Sequence, residues 1–242
     1  AWARTVPNTL RNPLYHWTHL ELKRYFGIEE LLDETTAESV WARANEQLAT
    51  PALSAHGILH RFQVKALCTT DDPTDSLEFH QQIAASGLPT KVFPTFRPDK
   101  AFNVGLPEHF NTWLGQLSQA SDIDITSFQS FLDALEQRHG FFHSQGCRLS
   151  DHGINTTFAE PCTQQQAAEI FENARAAKPA TAEEHARFAS YLMLFFGRLD
   201  AARGWTKQLH LMALRSNNTR LLAKLGPDTG FDSIGDWPQM DA

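Results

Sequence analysis

The sequence predicts an α/β fold in which short strands alternate with helices and pair in parallel. Three observations carry that reading. Short apolar, β-prone runs recur and each ends in a polar cluster; capped helical patterns fill the gaps; and strand–helix–strand order favours parallel pairing with helices on the sheet faces. A doubly wound sheet and part of a (β/α)8 barrel both satisfy this pattern. No fixed-period repeat or low-complexity tract competes with it. The 242 residues, 42% hydrophobic and 20% charged, suit one globular domain over 1–242. Its helical N-terminal part runs to about residue 60 and its strand–helix units follow from about residue 61.

The strands are expected at residues 64–70, 91–96, 147–150 and 207–214. The first, VKALCTT, gives way to Asp71-Asp72-Pro73. Asp72 before Pro73 fits an N-cap with proline at the first helical position, and Asp75 and Glu78 in or near the first turn favour the helix dipole. Asp71 is less well explained by a cap and is a candidate for facing a site. Elsewhere, TTAESVWARANEQL at 35–48 reads as a helix behind a threonine cap, and Thr163 caps the helix that ends before Pro179. Thr181-Ala-Glu-Glu184 is a capping box opening a long helix that ends near Gly204.

A formal net charge of −7 with no basic stripe argues against nucleic acid, and no segment has the apolar length to span a bilayer, so no membrane partner is expected. Cys68, Cys147 and Cys162 are odd in number and irregular in spacing, which suggests free thiols in a reducing compartment; the cytoplasm is the expected location. The first residues show neither the basic nor the apolar region of a signal peptide. With no initiator methionine, the chain reads as beginning inside a longer protein.

In parallel α/β folds ligands gather at the carboxyl ends of strands, so the residues just after each strand carry the functional reading. Four clusters result: Thr69 to Pro73, Thr95 to Lys100, Ser150 to Gly153, and His210 with Arg215, Asn217 and Asn218 beyond it. Arg97 is suited to bidentate pairing with a carboxylate or phosphate, against the plainer reading of an ion pair with Asp99. Asp151-His152 is either a general acid/base pair or a satisfied structural pair. His210, among apolar neighbours, reads more simply as a hydrogen-bonded core residue. No HExxH, Walker loop, GxGxxG, GxSxG or CxxC is present.

The segments NPLYHWTHLELKRYFGI (12–28), CTTDDPTDSLEFH (68–80), FRPDKAFN (96–103), GCRLSDHG (146–153), GWTKQLHLMALRSNNTR (204–220) and GPDTGFDSIGD (226–236) together resemble uronate isomerase, a branch of the amidohydrolase superfamily. The resemblance implies a distorted (β/α)8 barrel that interconverts D-glucuronate with D-fructuronate and D-galacturonate with D-tagaturonate. Moving a proton between C2 and C1 needs a base, groups that stabilise an enediol-like intermediate, and a cation for the substrate carboxylate. Residue by residue, the resemblance gives Arg97 the anionic substrate. It makes His210 a catalytic residue or metal contact, Asp151 and His152 further catalytic candidates, and Asp71 and Arg215 weaker substrate contacts. Zn²⁺ is the metal implied for the full-length family, and nothing in these residues requires it.

The departures lie in what is missing. The superfamily's His-x-His metal pair occurs nowhere in this sequence, and neither its eighth-strand aspartate nor the family's upstream histidine–tyrosine pair has a counterpart here. The expectation is an internal portion, about barrel strands two to five with helical insertions, that lacks activity by itself. Its open strand edges would be covered by packing against another chain, as in a homo-oligomer. Other readings from the sequence are a non-catalytic domain binding sugar acids or proteins, and a related hydrolase of the superfamily.

Overall fold

Capping residues and left-handed turns set the element boundaries in the computed structural model, which describes residues 1–155 and 157–237. The chain divides into two units, Ala1–Leu67 with Gly87–Lys91, and Cys68–Ser86 with Val92–Ala242.

The first unit holds four helices: α1 (Trp2–Thr5), α2 (Pro13–Phe26), α3 (Ala37–Leu48) and α4 (Ala55–Arg61). The Asn12 side chain accepts the Leu14 N–H to start α2, with Pro13 at its first position, and Gly27 ends it in the left-handed conformation at φ 63°. Val6, Ile28, Leu32 and Val40 form the buried core of this unit. The threonine cap expected for the 35–48 helix is not made: the Thr36 hydroxyl turns back to the Leu31 carbonyl. Asp33 takes the Thr35 and Thr36 N–H groups instead, because its carboxylate reaches both in an Asx-type turn.

The strand–helix alternation follows: β1 (Ala66–Cys68), α5 (Glu78–Ala85), β2 (Lys91–Phe93), α6 (Pro107–Ser121), α7 (Phe128–Ser144), β3 (Leu149–Gly153), α8 (Gln164–Arg175), α9 (Ala182–Arg203), β4 (Thr206–His210), β5 (Ala213–Leu214), α10 (Thr219–Leu225) and β6 (Ser233–Ile234). The Thr163 cap and the Thr181–Glu184 capping box read from the sequence are both present, Thr163 forming a full capping box with Gln166, and Gly204 ends α9 at φ 65°.

Mixed α/β architecture is observed, but among the described residues the strands form three two-stranded sheets: β1–β2, β3–β4 and β5–β6. β3 and β4 run parallel, from Leu149 opposite Thr206 to Gly153 opposite His210. Single parallel bridges, Asp71 to Phe96 and Phe96 to Ser150, continue the succession between the sheets. The strand expected over 91–96 is cut after Phe93 because Pro94 has no N–H to give to a ladder. The strand expected over 207–214 is broken where Met212 adopts φ 65°; its second part, β5, pairs antiparallel with β6.

Asp72 corrects another expectation. No helix begins at Pro73; α5 starts at Glu78. Asp72 Oδ1 instead accepts from the Thr74 N–H and hydroxyl and from the Trp113 indole (2.9 Å), while Oδ2 pairs with Lys100 at 3.2 Å. A carboxylate that gathers donors from α6 and the preceding loop has more to gain there than at a helix start.

Phe96 sits fully buried where the bridges meet, with Phe142, His139, Phe196 and Trp205 rings around it at 5.2 to 6.3 Å. Its backbone N–H donates to Leu149 and its carbonyl accepts from Asp151. Phe96→Ala is expected to cost about 3–5 kcal/mol in urea unfolding; a loss below about 1 kcal/mol would show that the ring cluster is not a close-packed core.

Candidate active site

Parallel pairing of β3 with β4 brings two sequence-distant segments to one strand end. Within β3, Ser150, Asp151 and His152 are all buried, and in β4 the last residue, His210, has a half-exposed side chain (50%). His210 is therefore not the core histidine its apolar neighbours suggested, because strand termination leaves its ring at the rim. Arg97 lies one residue past the Phe96 bridge, and its backbone N–H donates to the Asp71 carbonyl at 2.9 Å.

The outer part of the cluster is an arginine between two carboxylates beside an imidazole. Arg97 Nε donates to Asp99 Oδ2 at 2.9 Å, and Nη1 lies 3.4 Å from Asp151 Oδ2. Asp99 Oδ2 also accepts the Gly153 N–H at 2.8 Å. A Cβ at position 153 would occupy the place of Arg97 Nη2, so the absent side chain of Gly153 makes room for the guanidinium. Burial disfavours the charge of Arg97, but Asp99 and Asp151 outweigh it and raise the arginine's pKa. Asp151 Oδ1 lies 2.7 Å from His210 Nε2, yet this buried oxygen closes no hydrogen bond there. The Gln208 amide nitrogen reaches the same ring nitrogen at 3.1 Å. A carboxylate oxygen and a ring nitrogen this close, with the ring at a half-exposed rim, put a potential acid/base group within reach of a ligand.

Behind it lies a polar network centred on the buried side chains of His152, Ser150, His139 and Asp200. His152 Nδ1 faces Asp99 Oδ1 at 3.4 Å, and Lys207 Nζ lies 3.0 Å from His152 Nε2 and 2.7 Å from Asp200 Oδ2. Asp200 also accepts from the Ser150 hydroxyl at 2.8 Å and pairs with His139 Nε2 at 3.0 Å. Arg203 donates to His139 Nδ1 at 2.9 Å, so the neutral ring carries its proton on Nε2. Burial lowers the pKa values of His152 and His139, more than their carboxylate neighbours raise them. For Asp99 and Asp200 burial pushes upward, but their neighbours outweigh it and hold both below the usual carboxylate range: the adjacent His152 ring, Arg97 and the Gly153 N–H at Asp99, and His139, Lys207 and Ser150 at Asp200.

The structure thus brings Arg97, Asp151, His152 and His210 together. Asp71 lies on the neighbouring strand end, where Oδ2 accepts from the Thr69 hydroxyl (2.6 Å) and the Thr95 N–H (3.1 Å). Arg215 is outside the group: its exposed guanidinium holds Asp232 at 2.7 Å, whose other oxygen accepts the Ser216 N–H and ties the loop to the segment before β6. Sequence reasoning passed over Lys207, Asp200, His139 and Gly153. A usable signal was present for Asp200, a carboxylate that follows the largely apolar run YLMLFFGRL, and for Lys207, the one cation within β4.

For zinc, which takes four ligands in closed sites and three plus water in catalytic ones, His210 Nε2 and Asp151 Oδ1 are the donors that face each other. Among the described residues no group of three or more His, Cys, Asp or Glu side chains is placed to hold a metal ion. These residues do not make a zinc site by themselves.

A family model described as glucuronate isomerase matches residues 1–242. The uronate isomerase of Solibacter usitatus is 64% identical over 242 residues, all of this chain and 52% of that protein. That of Opitutus terrae is 58% identical, again over all of this chain and 51% of its own length. The crystal structure of uronate isomerase from Thermotoga maritima superposes with a TM-score of 0.90 at 31% identity, covering 97% of this chain and 51% of that one. Glucuronate isomerase from Caulobacter crescentus gives 0.90 at 26% identity, covering 99% and 50%. The chain spans about half the length of the curated relatives it matches.

The buried network sets the acid response. Below pH 6.5 the unfolded chain protonates His139 and His152 while the folded chain resists, so stability is full above that pH and declines as pH falls through it. Asp99 and Asp200 add a second loss below pH 3.8, where unfolded carboxylates take up protons that the folded ones refuse. The urea midpoint is expected to drop from about pH 7.5 to about pH 5, a span that brackets the ordinary histidine value, and less steeply in His139→Gln. A flat midpoint over that span would contradict two neutral buried imidazoles.

Proposed function

This chain belongs to the glucuronate isomerase family, and from that premise we propose that it forms the substrate-binding part of an aldose–ketose isomerase acting on hexuronates, D-glucuronate to D-fructuronate and D-galacturonate to D-tagaturonate. The strand succession from β1 to β4, joined by parallel bridges, is then a segment of a distorted (β/α)8 barrel whose remaining strands lie outside these residues. A barrel closes only with all of its strands, so this portion has no isomerase activity by itself.

The observation that carries the reading is the guanidinium of Arg97, clamped at Nε and Nη1 beside the Asp151–His210 contact. A hexuronate offers the matching pair of features, a carboxylate for the arginine and, along the sugar, the C1–C2 unit between which a proton must move. Arg97 retains N–H donors beyond those given to Asp99 and Asp151, and directs them at the carboxylate. Asp151 orients His210, whose rim position lets its imidazole reach a ligand and exchange a proton with it. His152, fully buried, acts from behind through Asp99.

Because Asp99 and Asp151 already neutralise Arg97, binding by this chain alone is weak, on the order of 1 mM. Titration calorimetry with D-glucuronate is expected to show that binding and to show Arg97→Met weakening it about tenfold or more. Gly153→Ala is expected to do the same with folding stability held within about 0.5 kcal/mol, since the end of a flexible side chain gives way. Wild-type affinity in both variants would refute the arginine's role. Turnover of glucuronate by this chain after metal removal and repurification would refute its inactivity, and binding with no turnover even alongside the missing portion would favour a sugar-acid binding domain.

A further inference from the structure

Lys207 is a buried-side ammonium whose every donor is occupied. Its Nζ lies 2.7 Å from Asp200 Oδ2, 3.0 Å from His152 Nε2 and 3.3 Å from Ser150 Oγ. The Ser150 hydroxyl gives its own proton to Asp200, so its oxygen is free to accept from the lysine. An ammonium has three donors and no acceptor, so His152 Nε2 must present its lone pair. The neutral ring then carries its proton on Nδ1, facing Asp99 Oδ1 at 3.4 Å, an electrostatic contact that closes no hydrogen bond. The same aspartate, through Oδ2, holds Arg97 Nε and the Gly153 N–H.

We propose that Lys207 is a positioning residue of this site, which fixes His152 as the neutral Nδ1–H tautomer and thereby holds Asp99 in place as the clamp on Arg97. The inference rests on the reading of Arg97 as the carboxylate-binding group, and it gives that group a mechanical support reaching into the core. His152 is enclosed by Phe102 and Phe196 rings at 6.0 and 5.9 Å, and the charged groups facing it are Asp99 from the segment after β2, Lys207 from β4 and Asp200 from α9. None of these alternatives to lysine can donate to Nε2. A buried imidazole left without that donor could carry its proton on either nitrogen, and one of the two choices would turn a lone pair toward the Asp99 carboxylate.

The test reads the ring itself, without substrate. In the ¹⁵N-labelled chain, long-range ¹H–¹⁵N correlations of His152, assigned by difference with His152→Gln, should show Nδ1 protonated and Nε2 bare from pH 8 to pH 6, about the range around an ordinary histidine pKa. Lys207→Arg, which keeps cation and donor, should retain that pattern. Lys207→Met should change it, either to the Nε2–H form or to a ring that protonates about tenfold more readily, and should shift the Arg97 Nε–H resonance with it. An Nε2–H tautomer in the wild-type chain overturns the proposal whether or not the methionine variant folds. So does an unchanged His152 and Arg97 signature in a folded Lys207→Met chain. Failure of wild-type glucuronate binding would fall on the Arg97 reading instead, since the tautomer is measured without ligand.

Discussion

A carboxylate removed from water must be surrounded by donors, and Asp200 is the one on which this fold turns. Four elements meet at it: α9 supplies the residue, α7 brings His139, β3 brings Ser150 and β4 brings Lys207. The desolvation cost of such a group is several kcal/mol, so the four partners are held to the geometry that offsets it. That requirement fixes how the two helices lie on the β3–β4 pair, in a way that contacts among phenylalanines alone would leave adjustable. The strand ends inherit the precision. Ser150 and His152 point inward to this network, and Asp151, between them, faces the arginine by the alternation of the strand.

The site therefore has two layers with different chemistry. The inner layer is paired from Arg203 through His139, Asp200 and Lys207 to His152 Nε2, and only His152 Nδ1, on its outward side, closes no hydrogen bond. The outer layer is incomplete: buried oxygens of Asp99 and Asp151 close no hydrogen bond, although each has a ring nitrogen nearby. Incomplete satisfaction at a strand end, backed by a satisfied core, is the arrangement expected where a ligand is to supply the missing partners. The relatives this chain matches are about twice its length.

What the sequence made legible was local. Thr163 reads as a cap and Thr181 as a capping box because spacing within one turn is all such motifs need, and the four strand ends were found because apolar runs stop where ligands gather. Arg97, Asp151 and His152 emerged from position, whereas His210 became a site candidate only through the family resemblance. The failures share a cause in partners far along the chain. Asp72 looks like a helix cap until the Trp113 indole arrives from 41 residues away, and Lys207 looks like a solvated strand lysine until Asp200 and Ser150 enclose it. Met212 carries no local signal for a left-handed turn, and the break it makes in the last strand is what leaves His210 at an edge. The family resemblance came from many ordered segments, and the family model matches residues 1–242, which include all of them.

Gly153 separates two quantities that substitutions in a binding site usually confound. Most positions that touch a charged group also support the backbone around it, so a change in affinity arrives together with a change in foldedness. At Gly153 an added Cβ meets the far end of Arg97 first, with Asp99 Oδ2 at 3.4 Å beyond it. The position sets how much room the guanidinium has, while the strand pairing opposite His210 is made by backbone groups. A residue larger than glycine here shifts the guanidinium and leaves the charge inventory of the cluster untouched.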